Sequence, residues 1–290
     1  MAAAGADGSE ASLDGTLRPD DRRGEEVMGE TIHFDDEASR RLDACYASPD
    51  VASQRRDVLA ALNLKSRERV LDVGSGPGFL AVEMANAVGP SGSVCAIDPS
   101  ESMVKMARLR CADCTWVDAR IGTSDVLPFA DCTFDAVVAT QVLEYVSDVK
   151  ESLQETFRVL HPGGRVLVLD TDWDSIVWHS TDDLRMARVL DAWEEHLIEP
   201  RLPRTLAPLL KATGFVLLHR EVIPLLNTEY DRNSYSHGLA GLIMNFVPTR
   251  KGITPDEVLS WAKDLQTLGE TGQYFFNLNR YLFLASKPSA

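Results

Sequence analysis

Apolar positions along this chain follow two rhythms. Some runs are short and almost unbroken: Arg69–Val73, Ser93–Asp98, Phe134–Ala139 and Arg165–Leu169. Runs of this length with so few polar interruptions predict strands buried on both faces of a parallel sheet. Between them lie stretches with helical spacing, as at Asp50–Leu62, where Val51, Val58, Leu59 and Leu62 share a stripe. Phe79–Val88, Pro99–Arg110 and Glu151–Leu160 read the same way, closed by Gly89-Pro90 and by His161-Pro-Gly-Gly164 at the first and last. Thr115–Ala119 supplies a further strand. Strand and helix in alternation predict an α/β domain with a mostly parallel sheet.

The second half is more helical. Asp182–Leu197, Arg204–Thr213, Ser234–Phe246 and Pro255–Leu268 read as helices, and Phe215–Leu226 and Tyr274–Ser286 as strands. The last strand is expected to run antiparallel to its neighbours. Residues 1–26 have scarcely an apolar anchor and read as a disordered tail. The remainder, 27–290, divides into N-terminal helices (27–64), the α/β body, and a helical segment inserted at 227–272 between the sixth and seventh strands.

The first predicted strand runs into Asp72-Val-Gly-Ser-Gly-Pro-Gly78. Gly74, Gly76 and Gly78 strip the β-carbons from the turn, so the backbone can take positive φ and a ligand can press against it. Pro77 suits the first position of the following helix. A strand, a bare turn and a helix start form a nucleotide-cradling unit. The third glycine comes one residue too early for a dinucleotide fingerprint. Asp72 would repel a pyrophosphate and attract an ammonium group. Asp98 ends the second strand, where a carboxylate can grip a ribose diol.

These residues resemble the first motif of the class I S-adenosylmethionine-dependent methyltransferases, acid-x-G-x-G-x-G. The segment Ile121–Phe129, with its Leu-Pro-Phe, and a helix ending in Pro-Gly-Gly before a strand extend the likeness over roughly residues 45–170. The overall pattern resembles the type 11 methyltransferases and the ubiquinone/menaquinone C-methyltransferase group, which implies that 27–64 form a lid and 227–272 a cap. The resemblance implies a Rossmann-like, seven-stranded, mostly parallel sheet with helices on both faces. It also implies S-adenosyl-L-methionine as cofactor. Asp72, Gly74, Ser75, Gly76 and Gly78 would hold its methionyl part, Asp98 and Pro99 the ribose side, and Met103, Thr123 and Ser124 the adenine. Thr123 stands where the family commonly has an acid, so Thr123, Asp125 or backbone at Ser124 are alternative adenine partners. Gln141, after the fourth strand, would border methionine and acceptor. Tyr46, Gln54 and Arg55 are candidate lid or carboxylate contacts, or part of a solvated helix face.

For the chemistry, an acceptor that loses a proton needs a positioned base. Asp170, Asp172 and Asp174 would face one way from the end of the fifth strand. Asp170 or Asp172 is a candidate base or ammonium-holding carboxylate, with helix capping as the structural alternative. No metal site is expected, because the run departs from a calcium loop at Ser175 and Thr181. His179 is the best-placed histidine. Tyr145 either lines the acceptor pocket or packs against Val142. Trp173, Trp178 and Trp193 give an apolar wall or core packing.

Charge narrows the partners. The net charge is −15, about −10 of it outside the first thirty residues. An acidic body is repelled by phosphate backbones, so a nucleic-acid substrate is not expected. No run is long enough for a membrane span, and the expected location is cytoplasmic. The lone Cys111-Ala-Asp-Cys114 has no second pair to complete a zinc site. The expectation is methyl transfer to a small, largely apolar acceptor by a monomer or homodimer. A non-catalytic S-adenosylmethionine-binding partner or regulatory subunit is the alternative.

Overall fold

The computed structural model describes residues 42–289; the expected tail at 1–26 and the first part of the lid segment lie outside them. Five parallel strands form the centre: β1 (Arg69–Val73), β2 (Ser93–Asp98), β3 (Val117–Ile121), β4 (Phe134–Thr140) and β5 (Leu160–Thr171). Two long strands, β7 (Val216–Asn227) and β8 (Phe276–Ser286), complete the sheet, and the two-residue β6 (Val177–Trp178) pairs with the start of β8. The order is β3-β2-β1-β4-β5-β8, with β8 antiparallel to β5 and to β7. β8 thus lies between β5 and β7. The expected reversal of the last strand is present, and the short β6 adds an eighth strand.

Alternation in the central strands feeds both faces. Val70 joins the apolar layer that holds Val58 and Leu62 of α1 (Pro49–Leu62), the buried side of α2 (Phe79–Val88), and Val104 and Ala107 of α3 (Glu101–Arg110). Leu71 and Val73 face the opposite layer, with Leu153 of α4 (Val149–Val159) and Leu206 and Leu210 of α6 (Pro203–Thr213). A third core lies beyond the strand ends. Here α5 (Asp183–Trp193), α7 (Tyr235–Phe246) and α8 (Pro255–Glu270) gather Trp173, Trp178, Trp193 and Trp261. Trp178 stands 5.4 Å from Trp261 and Trp173 6.1 Å from Trp193, both edge-on, so these indoles pack the cap's own core.

Local signals set several boundaries. Ser100 caps α3 by accepting from Met103 N at 3.4 Å. Asp148 caps α4 from Glu151 N at 2.9 Å. The third strand runs two residues later than its apolar pattern predicts. Pro77 is not the first helical residue: Gly78, with φ of 83°, is the N-cap of α2, and the proline precedes it. Cys111 and Cys114 are both buried free thiols in the core beside α3, and burial pushes Cys111 up to about 11. No helix among the described residues is long and apolar enough to cross a membrane.

Candidate active site

The bend after β1 takes left-handed backbone at all three glycines, with φ of 65° at Gly74, 52° at Gly76 and 83° at Gly78. Their surroundings differ. A β-carbon on Gly74 would collide with Val142 Cγ2, and one on Gly78 would lie 2.8 Å from the Ala107 backbone. Those two glycines let the segment after β4, and α3, close on the turn. Beside Gly76 the nearest atom to such a carbon is Tyr46 Cε2, 3.9 Å away. Gly76 is therefore the point where something other than protein can lie on the backbone.

Asp98 shapes the bend. Its Oδ2 accepts from Gly76 N and its Oδ1 from Ser100 N, each at 2.9 Å. Burial pushes its pKa up, and those two amides oppose the shift. Asp72 is 1% exposed, and its Oδ2 has no partner. Burial, and then the charge of Asp98, push it up to about 8. Ser75 Oγ is buried and unpartnered too. Two orphaned polar atoms flank the one open glycine. Buried polar groups are ordinarily hydrogen-bonded, so this pair marks a place where a ligand supplies the missing partners.

The N-terminal segment closes over the bend. Arg55 donates to Tyr46 O at 2.7 Å and pairs with Glu83 of α2 at 2.8 Å. Arg110 pairs with Asp43 at 2.8 Å, donates to Pro77 O, and lies 3.6 Å from the Phe79 ring centre. Tyr46 and Arg55 therefore belong to an N-terminal segment clamped to α2 and α3.

On the other side of the bend the chain assembles a buried polar cluster. Asp170, at the end of β5, is fully buried; its Oδ1 accepts from Val142 N at 3.0 Å and its Oδ2 is unpartnered. Glu144, on the 3₁₀ turn Leu143–Tyr145, is fully buried too; Oε2 accepts from Trp173 Nε1 at 3.0 Å and Oε1 is unpartnered. Arg280 of β8 is 1% exposed; it donates to Gln54 Oε1 and its Nε finds no acceptor. Burial works against the Arg280 charge, and the facing Tyr235, Tyr46 and Glu144 outweigh it. Burial pushes Glu144 up to about 7, while burial and the Glu144 charge push Asp170 well above the usual carboxylate range. Gln141 holds left-handed backbone, φ 57°, with its amide engaged by β5 through Leu169 O and Thr171 Oγ1.

Several expected site residues stand elsewhere. Asp172 does not share a face with Asp170, because β5 ends at Thr171 and the chain turns into a 3₁₀ turn that Asp172 caps. Its carboxylate is held by Arg204 Nε at 2.7 Å and Nη2 at 2.9 Å, while Asp174 pairs with Arg201 and Arg204. Asp172 is a structural anchor for α6. His179 is exposed; its backbone N donates to Phe275 O at 2.9 Å, and its ring makes no bond to the cluster. Thr123 is exposed, and Ser124 Oγ is bonded to Ser152 Oγ at 2.8 Å. Met103 is buried and Pro99 exposed beside Asp98. Tyr145 packs against the third core, its ring centre 5.8 Å from that of His196. Sequence reasoning did not single out Glu144 or Arg280 of this cluster. Arg280 had a visible signal: it is the one charged residue in an otherwise apolar and amide-rich strand, Phe-Asn-Leu-Asn-Arg-Tyr-Leu-Phe-Leu-Ala-Ser.

Residues 71–168 match the methyltransferase domain family. The matched stretch is about a third of the chain. The methyltransferase core so matched runs from the middle of β1 to β5 and contains the bend and Glu144. A 37.1 kDa protein of transposon Tn4556 from Streptomyces fradiae is 34% identical over 195 residues, 66% of this chain and 55% of that protein. Demethylmenaquinone methyltransferase from Halalkalibacterium halodurans is 36% identical over 124 residues, 42% of this chain and 51% of that enzyme. The chain thus spans about half the length of the curated relatives it matches. Among solved structures, phosphoethanolamine N-methyltransferase 2 from Haemonchus contortus superposes with a TM-score of 0.60 at 20% identity, covering 89% of this chain and 58% of that one. That likeness is one of fold.

Proposed function

We propose that this protein transfers a methyl group from S-adenosylmethionine to a small organic acceptor. The observation that carries the reading is the orphaned pair Asp72 Oδ2 and Ser75 Oγ beside the open face of Gly76. An amino-acid nucleoside suits that donor set. Its ammonium group answers the Asp72 carboxylate, its carboxylate takes hydroxyl and backbone donors at the bend, and its diol reaches Asp98. A pyrophosphate would meet two buried acids instead, which disfavours a nicotinamide dinucleotide.

The cofactor, when bound, supplies a methyl group already activated on a sulfonium. The protein's part is then alignment and exclusion of water. The clamped lid at Tyr46 and Arg55 covers one side of the bend, and the aromatic cap formed by α5, α7 and α8 lies beyond the strand ends. This apolar cap and the demethylmenaquinone in a relative's name favour a largely apolar acceptor, with C- or O-methylation ahead of N-methylation.

Calorimetry with S-adenosylmethionine tests the reading. The parent protein should bind it, and NADH should not compete. Asp98→Ala removes two amide contacts to a carboxylate and should weaken binding by roughly 10- to 100-fold. Unchanged affinity in that variant removes Asp98 from the ribose role, and no binding to the parent overturns the reading.

A further inference from the structure

The cluster of Glu144, Asp170 and Arg280 is more than the cofactor needs. Three strands or turns far apart in sequence bring two carboxyls and a guanidinium together with almost no exposure. Each leaves one polar atom unanswered: Glu144 Oε1, Asp170 Oδ2 and Arg280 Nε. Leaving such groups buried and unpaired is costly, so the place is built for an occupant that pairs with them. Arg280 makes no ion pair with a carboxylate among the described residues. Its guanidinium lies 4.7 Å from the Tyr235 ring centre, and Gln54 of the lid helix accepts from it.

Glu144 is placed rigidly. Its own carbonyl accepts from Ile198 N at 3.0 Å and Glu199 N at 2.9 Å, and Trp173 fixes one carboxylate oxygen at 3.0 Å. The other oxygen is free. The cluster joins the cofactor bend through Val142, whose amide binds Asp170 and whose side chain abuts Gly74.

We propose that Glu144 takes the proton an acceptor loses on methylation and that Arg280 holds the acceptor oxygen left negative. Resting on the methyl-transfer reading above, this assigns the acceptor as a hydroxyl compound that ionises, a phenol or enol, rather than an amine. A cation at the acceptor's head repels an ammonium and draws an oxyanion. Two buried carboxyls side by side do not both ionise readily, so Asp170 keeps its proton and Glu144, near neutrality, is the one able to accept. On transfer the acceptor oxygen, or the carbon it activates, bonds to the methyl carbon. The electron pair of the broken carbon–sulfur bond stays on sulfur as a neutral thioether. The acceptor's proton ends on Glu144, which returns it to solvent. Tyr46, Tyr145 and Tyr235 face the same cluster, and burial pushes the hydroxyls of all three up, so they stay protonated donors.

The test uses para-nitrophenol, whose ionised form absorbs visible light, with the full chain and S-adenosylhomocysteine. Bound to the parent, the probe should show its phenolate band at a pH about 1 unit lower than in free solution. Arg280→Met should abolish that shift. At a pH where the free probe is already ionised, calorimetry in two buffers should show uptake of up to about one proton on binding. Glu144→Gln, which keeps the shape of the side chain, should bind the probe without uptake. The assignment is overturned if the parent binds the probe un-ionised or not at all, or if Arg280→Met keeps the shift. Equal proton uptake by Glu144→Gln overturns the role of Glu144, and this variant decides the matter alone should Arg280→Met not fold. Binding of S-adenosylmethionine, measured in parallel, separates the two failures: if it persists, only the acceptor assignment falls.

Discussion

Asp72 is the residue on which the cofactor reading is most exposed to measurement. Its carboxyl is pushed up to about 8, whereas an aspartate in an unfolded chain titrates near ~3.9. The folded protein therefore holds a proton that the unfolded chain has lost between those values. The resulting stabilisation is fully present below ~3.9 and is lost as pH rises through about 8. The ligand-free melting temperature should fall over the upper part of that window, and fall less in Asp72→Asn. An ammonium arriving beside Asp72 reverses the preference and expels the proton. Near neutral pH, S-adenosylmethionine should bind with release of up to ~1 proton, detected by calorimetry in buffers of different ionisation enthalpy. Release that is the same in Asp72→Asn would place the ammonium elsewhere.

The glycines show how one motif divides its work. Gly78→Ala would press a β-carbon to 2.8 Å from the Ala107 backbone in a left-handed conformation. It should destabilise the fold by several kcal/mol, combining the conformational penalty with overpacking. Gly76→Ala meets only Tyr46 at 3.9 Å and should cost about 1–2 kcal/mol, while still impairing cofactor binding. Thermal melts beside calorimetry distinguish them. A Gly76→Ala protein that binds normally would move the ligand off that backbone.

At the scale of elements, the end of β5 decides which acids meet the site. A strand continued to residue 174 would have put Asp170, Asp172 and Asp174 on one face. The chain leaves the sheet at Thr171, and Arg204 on α6 captures Asp172 instead. Asp172→Asn should therefore leave methyl transfer close to the parent rate, within about 3-fold, and lower the melting temperature slightly, since the pair is part-exposed. A loss of 100-fold or more would return Asp172 to the chemistry. The same geometry explains why Glu144 was missed. Nothing local to Leu143-Glu-Tyr145 marks its acid for burial, and only the 3₁₀ turn, closed over by Trp173 and residues 198–199, buries it completely.

At the scale of the whole molecule, three layers meet at the carboxyl ends of the strands. The lid contributes Tyr46 and Gln54, the parallel sheet contributes Asp72, Asp98 and Asp170, and the antiparallel β8 contributes Arg280. The helices between β7 and β8 do more than cover the sheet edge, because Tyr235 of α7 stacks on the Arg280 guanidinium. Both halves of the chain are therefore needed to build the buried cluster, whereas the bend is complete within the first half.

What the sequence determined by itself was local. The central parallel strands, the helices between them, the bare turn and the acids at Asp72 and Asp98 follow from periodicity, caps and glycine spacing over a few residues at a time. What the tertiary structure alone decided was which distant polar residues lose their water together. Arg280, Glu144, Asp170 and Gln54 are separated by up to 226 positions and meet only because β8 inserts beside β5 under the lid. Burial of a charge is a property of that packing, and no local pattern records it.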